Sequence, residues 1–267
     1  MREGANSLAS SASAAATRLR ELTPARVGLG RIGVSQHTRD VLAFQLGHAR
    51  ARDAVHASLE PASLAASISK IVERAHAGSV IRLHSAAPDR ATYLQRPDFG
   101  RKLDESARKV LAPHTGISFD LVMIVADGLS ALAVERHVPL LLNELLPRLA
   151  EWNIAPVCVV EQGRVAIGDE IGAALRAEMS LVLIGERPGL SSPDSLGAYV
   201  TWRPRPGRTD AERNCISNIR VEGLGYHDAT HQIVHCLTTA RRRQFTGTAL
   251  FNEPDKLGDI RDKGGVK

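Results

Sequence analysis

The sequence predicts an α/β protein: a doubly wound, mostly parallel sheet over residues 116–250, preceded by a mainly helical region over residues 26–115. Three observations predict it. Continuous apolar runs at Phe119–Ala126 (FDLVMIVA), Ala155–Val160 (APVCVV) and Leu181–Gly185 (LVLIG) suit strands buried on both faces. Segments with apolar residues at helical spacing lie between them, giving a strand–helix alternation. The 267 residues, 43% hydrophobic and 24% charged, suffice for a full core without cross-links.

Taken in order, residues 1–25 read as an Ala/Ser-rich flexible tail. Residues 36–58 place Val41, Leu42, Leu46, Ala49 and Val55 at helical spacing. Residues 59–77 repeat that character with Leu64, Ile68, Ile71 and Val72 on one face, and Gly78 is the expected stop. Val80–Leu83 is a short strand candidate. Pro97 and Asp98 suit the start of a helix running through Leu103, Ala107, Val110 and Leu111, with Asp98 as its cap. After the strand at Phe119–Ala126, helical spacing covers 129–134 and 140–149. The strand at 155–160 leads to a short apolar piece at 165–167 and a helix start at 170–176. The strand at 181–185, a further candidate at 198–202 and a closing helix at 227–243 complete the domain. Residues 251–267 read as a second tail. In such a sheet the loops at the carboxyl ends of the strands hold the ligand. Those loops contain Asp127–Ser130, residues 162–165 and residues 185–189.

Composition excludes several classes. Cys158, Cys215 and Cys236 are far apart, with no C-x-x-C pair; this excludes a disulfide scaffold and speaks against structural zinc. Reduced thiols in a cytoplasmic protein are the simplest reading. No apolar stretch approaches the ~20 residues of a membrane span, and the amino terminus lacks the apolar segment of a secretory signal. A net charge of +5 permits a nucleic-acid partner, but aromatics at 4% leave little for base stacking. Arg241, Arg242 and Arg243 end a predicted helix, where cations suit the dipole.

Several motifs carry a chemical reading beside a plainer one. Gly28-Leu29-Gly30-Arg31-Ile32-Gly33 matches a dinucleotide fingerprint, with Asp53 twenty residues on. No buried strand precedes it and Asp53 falls inside a predicted helix, so a glycine-rich turn is the better reading. Asp127 ends a buried strand and suits a ligand contact or a helix cap equally. His227 and His231, four apart, lack a third metal ligand and an H-E-x-x-H pattern. Glu186 and Arg187, between Gly185 and Gly189, offer acceptors and donors at a strand end, or a structural ion pair. Cys215 sits in a polar cluster with no adjacent base, so ligand packing or burial outranks nucleophilic chemistry.

The blocks LQRPDFGRKL, VADGLSA, QGRVAIGDEIGAAL, LVLIGERPGL and NCISNIR, in that order, resemble the small (light, or beta) subunit of ethanolamine ammonia-lyase. The likeness runs from about residue 26 to 243. It implies a carbon–nitrogen lyase that uses adenosylcobalamin to convert ethanolamine into acetaldehyde and ammonia. It implies a hetero-oligomer in which the large subunit, a TIM barrel, holds the substrate and the small subunit closes over the cobalamin. The family's small-subunit cobalamin contacts fall on the GRV, GER and CIS blocks: Val165, Glu186 and Cys215, with Arg164, Gly185 and Arg187 beside them. No catalytic residue is implied in this chain. The D-x-H-x-x-G signature is absent from the sequence, in keeping with the family's base-on binding, so no residue here is expected to ligate cobalt. The resemblance implies neither nucleic acid nor membrane as partner. It places the enzyme in the cytoplasm and, through the family's amphipathic tail, in a bacterial microcompartment; this Ala/Ser-rich tail departs from that pattern. The α/β pattern and GLGRIG support a competing reading, a free-standing nucleotide-dependent oxidoreductase. The basic pI supports another, a structural adaptor or nucleic-acid binder.

Overall fold

The computed structural model describes residues 17–251, apart from 24, 28 and 115. Most of the first expected tail, and of the second, lies outside the described residues, as does Gly28. The rest of the glycine-rich segment forms a hairpin, β1 (Arg31–Ile32) with β2 (Ser35–Gln36), turning through Gly33 at φ 62°. This is a turn ahead of a helix, and among the described residues no strand enters it.

Helix α1 (Thr38–His56) follows. Its spacing suggested a core-facing stripe, yet Leu42, Phe44 and Leu46 are exposed and only Gly47 and Ala54 are buried. Helix α2 (Pro61–Arg74) meets expectation, burying Leu64, Ile68, Ile71 and Val72, with proline in its first turn, where the missing N–H costs nothing. Its last residue, Arg74, lies four positions before Gly78, and the left-handed residue that follows it is His76. His76, at φ 51°, donates to Glu73 O at 3.1 Å and Ala77 donates to Val72 O at 3.0 Å, satisfying the last carbonyls.

The expected strand at 80–83 is β3 (Val80–His84), and it belongs to the main sheet. The region read as mainly helical is therefore not set apart from the sheet. Asp98 does not cap a helix: it pairs with Arg96 at 2.8 Å beside a 3-10 turn, Phe99–Arg101. Two short helices flank that turn. Asp89 caps α3 (Arg90–Gln95), accepting from the Thr92 N–H at 2.8 Å, and Asp104 caps α4 (Glu105–Leu111), accepting from the Ala107 N–H at 2.6 Å. The start signal was of the right chemistry, but Asp104, not Asp98, had free amides in reach.

Strand β4 (Phe119–Ala126) is buried almost throughout. The two helical segments expected on either side of Pro139 are one helix, α5 (Ala131–Leu145), followed by a 3-10 turn at Leu146–Leu149. An interior proline removes one helical hydrogen bond and costs about 3 kcal/mol. Burial of Val134, Val138, Leu141, Leu142 and Leu145 offsets it. Next come β5 (Val157–Glu161), α6 (Ile167–Ala174), β6 (Ala177–Gly185), β7 (Leu196–Trp202), β8 (Arg213–Ile219) and α7 (Tyr226–Arg243). Arg241 closes α7 on Asp120 at 3.1 Å, adding an ion pair to the expected dipole effect.

The sheet has six strands in the order β3-β5-β4-β6-β7-β8. β3–β5, β5–β4 and β4–β6 are parallel; β6–β7 and β7–β8 are antiparallel. Alternate residues feed two cores. Leu121, Met123, Leu181, Val200 and Ile216 pack with α2, α5 and α7 on one face. Val122, Ile124, Val160 and Val182 pack with α4 and α6 on the other. On this second face the β7–β8 part is open: Tyr199 is half-buried, and Cys215 and Ser217 are exposed. Two antiparallel strands return β8 to the direction of β6, so the carboxyl ends of β5, β4, β6 and β8 lie along one edge.

Candidate functional site at the carboxyl edge of the sheet

Glu186 follows β6 directly. Its N–H donates to Ser195 O at 2.9 Å, extending the β6–β7 ladder by one residue. Its carboxylate accepts from the Ser195 and Ser217 hydroxyls and from the Asn218 N–H at 3.1 Å. The structural ion pair with Arg187, one of the two readings of this segment, does not describe it. Arg187 is exposed, and no ion pair joins it to Glu186 among the described residues. The loop beyond is tied down. The Ser130 hydroxyl donates to Pro193 O at 2.9 Å, and Asp194 accepts from Arg136 at 2.9 Å with Arg220 3.9 Å away.

Gly185 is buried, and a side chain on it would collide with the Ser130 and Asp127 carbonyls. Gly128, at φ 57°, needs both its left-handed backbone and its missing Cβ, which would strike Gly185 O. The two glycines let the loops after β4 and β6 pass in contact, with Leu129 N–H donating to Gly185 O at 2.9 Å. Asp127 does not cap α5; Ser130 does, accepting from Ala133 N–H at 3.3 Å.

Across β4, the loop after β5 carries Arg164 and Val165. Val165 is half-buried beside the second core. The Arg164 guanidinium lies 4.1 Å from the Tyr93 ring centroid and donates to Tyr93 O at 3.1 Å, while its buried Nε has no hydrogen-bond partner among the described residues. Asp127 accepts from Gly163 N–H at 3.0 Å and pairs with Arg90 at 3.3 Å. Burial pushes its pKa up to about 6, against the pull of Arg90 and the Gly163 amide. Because this value lies above the unfolded ~3.9, the native state holds the proton more tightly. Stability from this group is full below pH ~4 and is lost, by about 3 kcal/mol, as pH rises through about 6. Denaturant titrations of wild type and Asp127→Asn from pH 4 to 7 should differ in slope across that window; parallel profiles would contradict the assignment.

Cys215 lies on the open face, opposite Tyr199 on β7, which in turn lies opposite Val182 on β6. It is exposed, so of the two readings, ligand packing or burial, simple burial does not hold. The surrounding protein raises its thiol pKa, chiefly by desolvation, so it is uncharged at neutral pH. Gly197 lies beside Tyr199; a Cβ there would sit 2.9 Å from Glu186 Oε1. Glu186 and Cys215 thus share the β6–β8 side of the edge through Ser217 and Tyr199. Arg164 and Val165 occupy the β5 side, and Asp127 lies between.

This chain can be compared with known proteins across nearly all of that architecture. The family model described as ethanolamine ammonia-lyase light chain (EutC) matches residues 13–251. The chain belongs to the ethanolamine ammonia-lyase light-chain family. It is 54% identical over 242 residues to the ethanolamine ammonia-lyase small subunit of Pseudomonas paraeruginosa, covering 89% of this chain and 87% of that one. It is 52% identical to that of Xanthomonas campestris pv. campestris, covering 90% and 88%, and 53% identical to that of Ralstonia nicotianae, covering 87% and 86%.

The motifs that compete with the light-chain reading have structural explanations. Gly33 turns the hairpin that Gly30 precedes, and Asp53 sits on exposed α1 beside Arg52 at 3.5 Å. His227 and His231 meet edge to face at 4.6 Å, with His227 beside Glu144 at 3.8 Å. Among the described residues no helix is long and apolar enough to cross a membrane. Sequence reasoning missed Tyr93, Arg90, Ser195, Ser217 and Tyr199, which surround the light-chain blocks. The one available signal was Ser217 within NCISNIR; the others come from segments with no motif.

Proposed function

We propose that this chain is the small subunit of an adenosylcobalamin-dependent ethanolamine ammonia-lyase, and that its doubly wound sheet presents its carboxyl edge and open β7–β8 face to the corrin. A large-subunit partner, a TIM barrel in the family, supplies the substrate site. The observation that carries the cofactor reading is the Glu186 carboxylate, held at the edge of an open sheet face by two hydroxyls and one amide.

The residues present fit the group. A corrin carries amide side chains, and a carboxylate with about four lone-pair sites keeps room for an N–H donor after those three bonds. The unpartnered Arg164 Nε offers a donor to an amide carbonyl. Cys215 and Val165 offer small, uncharged contact surface. When bound, the cofactor supplies the radical chemistry. This chain's residues bind and orient the corrin and exclude water from its edge, and move no proton in the reaction. Arg187 and Gly185 belong to the same edge, Gly185 through its backbone.

The isolated chain should form no acetaldehyde or ammonia from ethanolamine and adenosylcobalamin. Co-purified with its large subunit, it should give an active complex with cobalamin's visible absorption. Lyase activity in the chain alone, or a large subunit fully active without it, would overturn the reading.

A further inference from the structure

We infer that Arg90, with Tyr93 and Asp127, positions the loop at 162–165 and thereby sets the affinity of the candidate cofactor edge. The inference rests on the cofactor reading above, but its main observation does not. Gln162 has a φ of 56°, a backbone conformation that a residue with a side chain rarely adopts. Something must hold it there. Side chains hold both polar groups of Gly163: Asp127 Oδ1 accepts from its N–H at 3.0 Å, and the Tyr93 hydroxyl donates to its carbonyl at 3.0 Å. Arg164 N–H donates to Gly100 O at 2.7 Å, pinning the next residue. The loop also lies hard against β4, since a Cβ on Gly163 would sit 2.8 Å from that of Ala126. A loop so fitted has no room to shift and keep Val165 in place.

Arg90 joins these pieces. Its Nε donates to Val55 O at 2.8 Å, at the carboxyl end of α1. Its Nη1 donates to Gly128 O at 2.8 Å and to Gln162 Oε1 at 3.3 Å, and pairs with Asp127. Tyr93 lies between two cations, with Arg90 4.9 Å and Arg164 4.1 Å from its ring centroid. One side chain thus connects α1, α3, the loop after β4 and the loop after β5. These contacts run through Nε and Nη1, while the buried Nη2 has no hydrogen-bond partner among the described residues; a lysine ammonium is a single point and must abandon at least one of the four partners. Arg90, Tyr93 and Asp127 are positioning residues, acting through the loop.

The test uses the complete complex of small and large subunits. Tyr93→Phe removes one hydroxyl and keeps the ring between its cations; Arg90→Lys keeps the charge and loses the fork. Hydrogen exchange of the 162–165 amides, read by mass spectrometry, and titration with adenosylcobalamin are measured together. Both variants should exchange faster in that segment and bind cofactor about five- to tenfold more weakly, the loss of roughly one hydrogen bond. Ile233→Val, in the opposite core, is the stability control and should leave both readouts at wild type. Unchanged exchange and affinity in both variants, or equal changes in Ile233→Val, overturn the inference. If Glu186→Ala weakens cofactor binding and the two loop variants do not, positioning alone has failed. If exchange quickens but none of the three, Glu186→Ala included, alters affinity, the cofactor reading has failed and the loop's dependence on Arg90 and Tyr93 stands.

Discussion

Glu186→Ala should weaken adenosylcobalamin binding to the assembled complex by about ten- to a hundredfold. A charge-assisted hydrogen bond of this kind contributes roughly 1.5–3 kcal/mol, which converts to that ratio. Turnover at saturating cofactor should fall much less, because the carboxylate orients the corrin and takes no part in proton transfer. The bonds from Ser195, Ser217 and Asn218 sharpen the comparison. Alanine leaves those donors unpartnered and loosens the strand ends as well; Glu186→Gln keeps an acceptor without the charge. If the carboxylate contacts the cofactor, glutamine should fall between wild type and alanine in affinity while retaining most of the stability. Titration of the three complexes in parallel decides it. Equal affinities across all three would remove Glu186 from the site and weaken the assignments of Val165 and Cys215, which share its basis.

Arg213→Met should cost about 3–5 kcal/mol of stability and lower the melting midpoint by on the order of 10 °C. Arg213 donates to both Asp169 oxygens, at 2.7 and 2.6 Å, with the two side chains 2% and 3% exposed. It also donates to Thr201 Oγ1 at 3.0 Å and Arg208 O at 3.1 Å. The pair fastens α6 to β7 and β8 beneath the open face. Removing one partner strands a buried charge, whereas removing both leaves none. The double variant Asp169→Leu/Arg213→Met should therefore recover much of the loss. Thermal melts of the three chains test this; a single-variant cost under ~1 kcal/mol would mean that the pair is dispensable.

The parts of this fold readable in advance were those whose burial is uniform. β4 lies between two parallel neighbours with helices on both faces, so its eight residues are nearly all apolar. β6 lies between parallel β4 and antiparallel β7, but it too is buried on both faces and reads as a strand for that reason. β8 does not. It is an edge strand with one face open, and its Cys215, Ser217 and Asn218 read as a polar cluster. Helical spacing read as two segments, 129–134 and 140–149, whereas one helix runs through Pro139, because the core burial that offsets the proline is not a local signal. On α1 the error ran the other way: helical spacing is a local property and was right about the helix, but could not say that Leu42 and Leu46 would have nothing to pack on.

The site divides along the same line. Glu186 was legible because a glycine-flanked acid after a buried strand marks the carboxyl edge of an α/β sheet, and the five light-chain blocks identified the family from residue types alone. The partners of that acid were not legible. Ser195 and Ser217 stand 9 and 31 positions away in sequence; Ser195 meets Glu186 across the antiparallel β6–β7 pair, and Ser217 does so because β8 turns back along β7 to the same edge. Asp127 and Arg90 are 37 positions apart and meet where the first residue of α3 reaches the loop after β4. The sequence by itself determined the family, the strands buried on two faces and the loops that bear the candidate contacts, since composition and short-range periodicity record burial directly. Tertiary structure alone decided which side chains hold those loops, because strand order and crossovers bring together residues that share no local pattern.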